Sequence, residues 1–477
     1  MGHIGLLVVK AKKFNFIILE GEKILNSTPS KQKSFFESYF KLAENNTNIK
    51  TEIIAGFTTF IAMSYIIFVN PNVLKITGMD PNAVFVATCI ASAVGTLIMA
   101  LYANLPFAQA PGMGLNAFFT YTVVLTMHYT WQEALAAVFI SGILFIIITL
   151  TSIREKIVDA LPRTLKLAIS VGIGLFIAII GLKDGGVVVA NPDTLVSFGK
   201  LIEPSAALTL IGLLITAVLM ARKIKGSILI GIIVTTIIGI PMKVTHPIAL
   251  GKLVHTPPSI APTFLKMNFS GLLDAKGGIT IGLTSLLMVV ITICLVDLFD
   301  TLGTLVGTAE KANMLDENGR VKNLSKALIC DAVATTAGSL FGTSTVVTYV
   351  ESTAGVAEGG RTGLTSLVTG LLFIVALFFS GLVGMVPTEA TAPALIIVGV
   401  LMMSSVTKID FSDFSNAFPA FLTIIMMPFT YSISNGIAAG LISYPIMKVV
   451  TGKQKEVHPL VYILAVIFII RFALLPQ

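Results

Sequence analysis

The sequence predicts an all-α polytopic membrane protein of about fourteen transmembrane segments, arranged as two inverted repeats of seven. Three features predict this class: little charge, recurring apolar stretches of about 20 residues, and two polar, broken stretches at matching positions. Of the 477 residues, 55% are hydrophobic and only 12% are charged, and the mean hydropathy is +0.90. Soluble domains carry about 25% charged residues. The chain is therefore predicted to lie in a membrane.

The predicted segments follow the apolar stretches in order. The third and the tenth differ from the others because they open with Pro, Gly or polar residues. A last apolar stretch at 460–475 is either an extra span or an interfacial helix. The segments are predicted at about 52–70 (ended by Pro71), 82–101, 105–124, 132–152, 161–182, 205–221, 226–240, 281–307, 324–341, 342–357, 362–385, 390–405, 414–431 and 434–450.

The basic residues predict the orientation of the chain. The net charge is +7, and the Lys and Arg residues lie mainly in short loops that follow even-numbered segments, such as Arg222, Lys223 and Lys225 after the sixth. Cytoplasmic loops accumulate these residues. The N-terminus is therefore predicted to be cytoplasmic. We interpret the charge as a topology signal, so no nucleic-acid partner is predicted.

Segments one to seven and eight to fourteen share one pattern, in which the third segment of each half is broken. Because seven is odd, the second half would enter the membrane in the opposite orientation. Interrupted segments at matching positions of an inverted repeat indicate a substrate site. Unwound backbone at membrane depth must be satisfied by protein, water or ligand.

Acidic residues within the apolar segments strengthen this interpretation. Asp297 and Asp300 are the only charged residues between 277 and 309, and they lie three positions apart, on one face of a helix. Asp331 and Glu351 lie in segments nine and ten. Carboxylates inside a bilayer are costly unless they face a cavity or a partner. For Asp297, the structural alternative is a polar partner between helices.

A packing explanation of the broken segments is the alternative hypothesis. Small residues such as Gly112 and Gly114 let helices approach closely in membranes. Close packing does not explain why Gln109, Asn116 and Glu351 accompany them. The sequence therefore favours a binding site.

Other functional classes lack support in the sequence. Cys89, Cys294 and Cys330 have no paired spacing, so neither a disulfide framework nor a metal site is predicted. His246 and His255 lie in a polar connection without neighbouring metal ligands. No GxSxG or HExxH motif occurs. We expect neither an enzyme nor a cofactor.

Three motifs resemble those of the AzgA-like branch of the nucleobase:cation symporters, whose members are adenine, guanine and hypoxanthine permeases. They are QAPGMGLNAFF (109–119), DLFDTLGT (297–304) and TSTVVTYVESTAGVAEGGRTG (343–363). The resemblance covers residue 35 to the end. It implies a core domain from segments one to four and eight to eleven, a gate domain from the rest, and short extended pieces in segments three and ten.

The implied domain boundaries follow from this division. They are a cytoplasmic tail (1–50), the first core half (51–153), the first gate half (154–241), an extracytoplasmic loop (242–278), the second core half (279–387) and the second gate half with the C-terminal segment (388–477).

The resemblance also implies roles for single residues. Asp300 resembles the acid of segment eight and Glu351 that of segment ten. Asp331 resembles an acid that opens segment nine, and Asn116 resembles a polar contact of segment three. Thr304 stands where the uracil relatives have a His. Any proton-relay role of that His therefore does not transfer to this chain. Intramembrane acids are candidate proton carriers.

The predicted substrate contacts combine these side chains with nearby backbone and one aromatic ring. A carboxylate accepts hydrogen bonds from ring N–H groups, and an amide both donates and accepts. The substrate-binding residues are predicted to be Asn116, Asp300, Glu351, Gly114, Met113, Thr348, Val350 and Phe299, and the proton-coupling residues Asp300, Asp297 and Asp331.

The resemblance implies import of a purine nucleobase across the plasma membrane by proton symport with alternating access. Sodium is the alternative coupling ion, and xanthine or uracil the alternative substrate. An anion transporter or channel on the same fold is a further alternative. The acids argue against it, as does the lack of Lys or Arg inside the central segments. A homodimer is one assembly that the wider superfamily suggests.

Overall fold

The computed structural model describes residues 35–151, 160–246, 254, 256–273, 279–311, 314, 321–382 and 384–474. The N-terminal tail before residue 35 lies outside this part of the chain, as do residues 247–253, His255 and residues 274–278 of the loop predicted at 242–278. Within the described residues, 10 helices are long and apolar enough to cross a membrane, and shorter apolar helices accompany them. The helical, polytopic membrane fold is thus confirmed, whereas the count of fourteen segments stays a prediction.

The secondary structure consists of long and short α-helices, brief 3₁₀ and π-helical stretches, and two small two-stranded sheets. The helices are α1 (Phe35–Tyr39), α2 (Ile49–Met63), α3 (Ile66–Leu74), α4 (Pro81–Ile98), α5 (Met113–Ala117), α6 (Trp131–Leu150), α7 (Arg163–Asp184), α8 (Pro204–Ala221), α9 (Ser227–Gly239), α10 (Ile279–Lys311), α11 (Leu324–Phe341), α12 (Ser352–Ala357), α13 (Gly363–Ala376), α14 (Thr388–Met403), α15 (Phe414–Phe429), α16 (Ile433–Val450) and α17 (Pro459–Leu474). The strands are β1 (Gln109–Pro111), β2 (Val188–Asn191), β3 (Leu195–Phe198) and β4 (Val346–Thr348).

The first segment corrects one expectation, because it does not end at Pro71. The chain turns at Ser64 and Tyr65, between α2 and α3, and Pro71 lies inside α3. A proline removes one helical hydrogen bond, and neighbouring helices tolerate this in membranes. All nine residues of α3 are buried. The break therefore lies at Ser64–Tyr65, nearer the middle of the segment.

The third and tenth segments are each a strand followed by a short helix. β1 leads into α5 through Gly112, and β4 leads into α12 through Tyr349 to Glu351. The two strands pair antiparallel, with Ala110 opposite Val347. Backbone hydrogen bonds extend the pairing at both ends, from Gly112 N to Thr345 O (3.0 Å) and from Tyr349 N to Ala108 O (3.0 Å). The extended pieces implied for these segments are therefore present, and they meet.

A threonine hydroxyl covers the outer edge of each strand. Thr96 of α4 accepts from Gln109 N (2.9 Å) and donates to Gln109 O (3.0 Å). Thr335 of α11 accepts from Val346 N (3.2 Å) and donates to Val346 O (3.0 Å). Pro111 has no N–H to satisfy, and its carbonyl accepts from the Tyr349 hydroxyl (2.6 Å). The strand pair thus obtains from side chains the partners that a wider sheet would supply.

The helices pack in two sets, of which the first contacts the strand pair. α13 packs on α2 and α4, and α11 packs on α4 and α6. α7 packs on α14 and α15, and α8 and α9 pack on α14. A Cβ at Gly174 would lie 2.8 Å from Gly399 O, and one at Gly172 would lie 2.6 Å from Met427 Sδ. These glycines permit the close approach of α7 to α14 and α15.

We predict that Thr335→Val destabilises the protein by about 1–3 kcal/mol, because the buried N–H and C=O of Val346 lose their partner while the shape is kept. The measurement is the unfolding midpoint in detergent. Thr335→Ser retains the hydroxyl and serves as the control. An unchanged midpoint for Thr335→Val would contradict this account of the strand edge.

Candidate functional site

A cavity of about 500 Å³ lies where β1, β4 and α10 meet. Its wall contains Tyr65 from the break in the first segment, the Gly112–Gly114 turn and residues 347–351. One face of α10 and the ends of α7 and α14 complete it. The cavity therefore collects the non-helical backbone of three separate segments at one place.

The α10 face of the cavity carries polar groups and bare backbone. Asp300, Thr304 and Thr308 lie four residues apart, so they share one side of the helix. A Cβ built at Gly303 or Gly307 would meet no atom within 4 Å. This side of α10 thus borders open space that a ligand can occupy.

Glu351 follows β4 and lies immediately before α12. Its Oε1 accepts a hydrogen bond of 2.6 Å from the Tyr65 hydroxyl. Asp300 lines the same cavity from α10. The structure therefore brings together the acids that the sequence places in segments eight and ten.

The structure places six of the eight predicted substrate contacts in the cavity wall. Their side chains differ in exposure: Val350 is exposed, whereas Thr348 is buried. These six residues are Met113, Gly114, Asp300, Thr348, Val350 and Glu351.

Asn116 and Phe299 are the two remaining predicted contacts. Asn116 is fully buried and does not line the cavity. The Ser344 hydroxyl donates to Asn116 Oδ1, so this oxygen faces the residues that precede β4. Phe299 lies in α10, but its side chain is outside the described part of the structure.

Two predicted proton-coupling acids also lie away from the cavity wall. Both Asp331 oxygens accept from the Thr301 hydroxyl (2.9 Å), and Oδ1 also accepts from Gln109 Nε2 (3.2 Å). Asp331 therefore joins α11, α10 and β1 through buried hydrogen bonds. Asp297 is 1% exposed and is not among the residues that line the cavity.

Tyr65, Lys166 and Lys408 are among the residues of the cavity wall that the sequence did not predict. Tyr65 was missed because one tyrosine in an apolar helix carries no pattern that distinguishes it from packing. Lys166 and Lys408 also line the cavity, and neither was among the predicted contacts. Lys408 is exposed and Lys166 is half-buried. We infer that both lie near the cavity mouth.

The arrangement suits a small polar solute that donates hydrogen bonds. Carboxylates accept hydrogen bonds from N–H groups, and the backbone turns at Gly112 and Tyr349–Glu351 offer further polar atoms. Within the described residues, no group of three His, Cys, Asp or Glu side chains forms a metal site. Binding by hydrogen bonds to carboxylates and backbone is the chemistry that this cavity can perform.

The model of a family described as "Permease family" matches residues 50–439 of the chain. This protein belongs to that permease family. Adenine permease AdeP of Escherichia coli is 44% identical over 446 residues, covering 94% of this chain and 98% of the relative. Guanine/hypoxanthine permease PbuG of Bacillus subtilis is 45% identical over 450 residues, covering 92% and 100%. The family comprises transporters and not enzymes, and the AzgA-like resemblance is confirmed.

Another relative and one solved structure agree with this family and fold. A protein of Methanocaldococcus jannaschii, named as a permease without a substrate, is 54% identical over 441 residues, covering 92% of this chain and 99% of that protein. The transmembrane domain of the cyanobacterial bicarbonate transporter BicA matches with a TM-score of 0.62 at 16% identity, covering 82% of this chain and 97% of that one. At this identity the likeness shows the fold alone.

We predict that cysteines at Gly303 and Gly307 react with a polar thiol reagent at least roughly tenfold faster than one at Leu305, because thiol modification requires access to the sulfur. Leu305 is 0% exposed on the same helix and provides the matched control. Labelling rates in sealed vesicles measure the difference, and reagent added to one face identifies the open side. Equal rates at the three positions would contradict an open cavity along α10.

Proposed function

We propose that the protein imports purine nucleobases (adenine, guanine or hypoxanthine) across the plasma membrane by proton symport. The observation that carries the proposal is the meeting of Asp300 and Glu351 in one cavity bounded by two strand ends. A purine edge alternates donors and acceptors, which carboxylates and backbone groups can match. The purine permeases among its relatives support this substrate class.

The proposed binding residues divide by chemistry. Glu351 accepts from purine N–H groups, and Asp300 supplies the second acid of the cavity. The backbone at Gly114 and Val350 and the side chains of Met113 and Thr348 contact the rest of the ring. In this proposal Asp300 also carries the coupled proton, and Asp297 and Asp331 support it from within the helix bundle.

Alternating access follows from the proposed division into a core domain and a gate domain. Residues 51–153 and 279–387 would form the core, and 154–241 and 388–477 the gate. The antiparallel pairing of β1 with β4 supports inverted repeats of seven segments, since inversion makes equivalent strands run in opposite directions. With a cytoplasmic N-terminus, the loops beside Lys166 and Lys408 are cytoplasmic. We therefore propose that the cavity faces the cytoplasm in this conformation.

An anion substrate is less compatible with the same cavity. Two acids line its wall and would repel an anion, while Lys166 and Lys408 belong to the proposed mouth. The likeness to the bicarbonate transporter domain concerns the fold alone. The acids therefore favour a neutral heterocycle.

We predict that Asp300→Asn abolishes accumulation of purine nucleobase but retains exchange, because the variant binds substrate without a titratable carrier. The measurement is uptake of labelled adenine, guanine, hypoxanthine, xanthine and uracil into proteoliposomes. An imposed pH gradient and an imposed sodium gradient are tested separately. Unchanged, uncoupler-sensitive accumulation by Asp300→Asn would contradict proton transfer through Asp300.

We predict that Glu351→Gln weakens purine binding by roughly ten- to a hundredfold, since a hydrogen bond to a charged group contributes about 1.5–3 kcal/mol. Equilibrium binding to the purified protein measures the change. Asp410→Asn is the control, because Asp410 is exposed in the connection between α14 and α15. If wild-type protein binds an anion and no purine, the proposed function is wrong.

A further inference from the structure

Tyr65 lies in the only part of the first segment that departs from helix between Ile49 and Leu74. The break at Ser64–Tyr65 places its ring at the cavity wall, yet the side chain is 1% exposed. Its hydroxyl donates to Glu351 Oε1 at 2.6 Å. One carboxylate oxygen of Glu351 therefore accepts a hydrogen bond from the first segment.

The first segment is also hydrogen-bonded to the residues that precede β4, on the other side of that strand from Glu351. Asn70, fully buried in α3, donates to Thr343 Oγ1 (2.9 Å) and to Thr88 Oγ1 (2.7 Å). Asn70 and Tyr65 thus bond to residues on either side of β4. The hydrogen bonds of Asn70 to Thr343 and of Tyr65 to Glu351 together hold the first segment against β4. They fix the position of the Tyr65 hydroxyl relative to Glu351.

We propose that Tyr65 is a positioning residue that orients the Glu351 carboxylate for purine recognition. This inference rests on the proposed function and assigns a further determinant of affinity within that site. The phenol donates to Oε1, so the carboxylate presents Oε2 as its principal acceptor toward the cavity. Without the phenol, the glutamate side chain is free to rotate, and substrate binding must fix it at an entropic cost.

Tyr349 supplies an internal comparison for this role. Its ring lies 6.4 Å from that of Tyr65, and it lines the same cavity. Its hydroxyl donates instead to Pro111 O at 2.6 Å. This contact joins the residue after β4 to the last residue of β1. Removing one hydroxyl from either tyrosine makes an equal chemical change, but only the Tyr65 hydroxyl bonds to Glu351.

The test is a double-mutant cycle on purine binding by the full-length protein. Tyr65→Phe raises the Kd about tenfold in the wild-type background. In a Glu351→Asp background, where the shorter carboxylate no longer reaches the phenol, the same substitution adds no further loss. Tyr349→Phe has the same effect on Kd in both backgrounds.

Two outcomes overturn the inference. They are an unchanged Kd for Tyr65→Phe and an equal loss for Tyr65→Phe in both backgrounds. Unfolding midpoints of all variants accompany the cycle, because a structural role alone would lower the midpoint without coupling to Glu351. If the wild-type protein binds no purine, the proposed function itself fails. Purine binding that depends on Glu351 but not on Tyr65 defeats this inference alone.

Discussion

The structure depends on the pairing of main-chain polar groups at a depth where water is scarce. An unpaired N–H or C=O in hydrocarbon costs several kcal/mol, so two interrupted segments can exist only if they satisfy each other. β1 and β4 do this by antiparallel pairing. The hydroxyls of Thr96 and Thr335 then cover the groups that face outward. These two threonines occupy equivalent places, each on the helix that precedes its strand.

This constraint explains where the cavity lies. Pairing consumes the polar groups of the strands themselves, so the backbone becomes available only where each strand turns into its helix. Gly112 and Glu351 are at those turns, and α10 passes beside them. The acids of the cavity both come from the second half of the chain, whereas the first half contributes the Gly112–Gly114 turn, the Tyr65 phenol and residues of α7 that include Lys166. The two halves therefore match in backbone but differ in chemistry.

Much of this arrangement could be predicted from composition and local pattern. Low charge and apolar periodicity predict the helical membrane fold, because burial in lipid constrains every residue of a span. The polar breaks near Asn116 and Glu351 predict the strand–helix turns, since such residues are costly elsewhere in a bilayer. Asp300 stands out for the same reason. These signals are local, and each needs only its own segment to be recognised.

Other features required three-dimensional contacts. The direction of the Asn116 amide depends on Ser344, which is 228 residues away in sequence. The role inferred for Tyr65 depends on its hydrogen bond to Glu351, which is 286 residues away in sequence. Considered locally, Pro71 predicts the end of a helix, but tertiary packing holds the chain helical around it. Lys166 and Lys408 reach the cavity only because α7 and α14 end beside α10.

The threonine hydroxyls on the strand edges have one more consequence. A two-stranded ribbon with bare edges would be open to lateral extension by a third strand, from a peptide or from another chain. With Gln109 and Val346 already bonded by hydroxyls, such β-augmentation has no free edge to start from at these positions. The strand pair is therefore closed to further pairing at Gln109 and Val346, and the backbone groups that a ligand can reach lie at its ends.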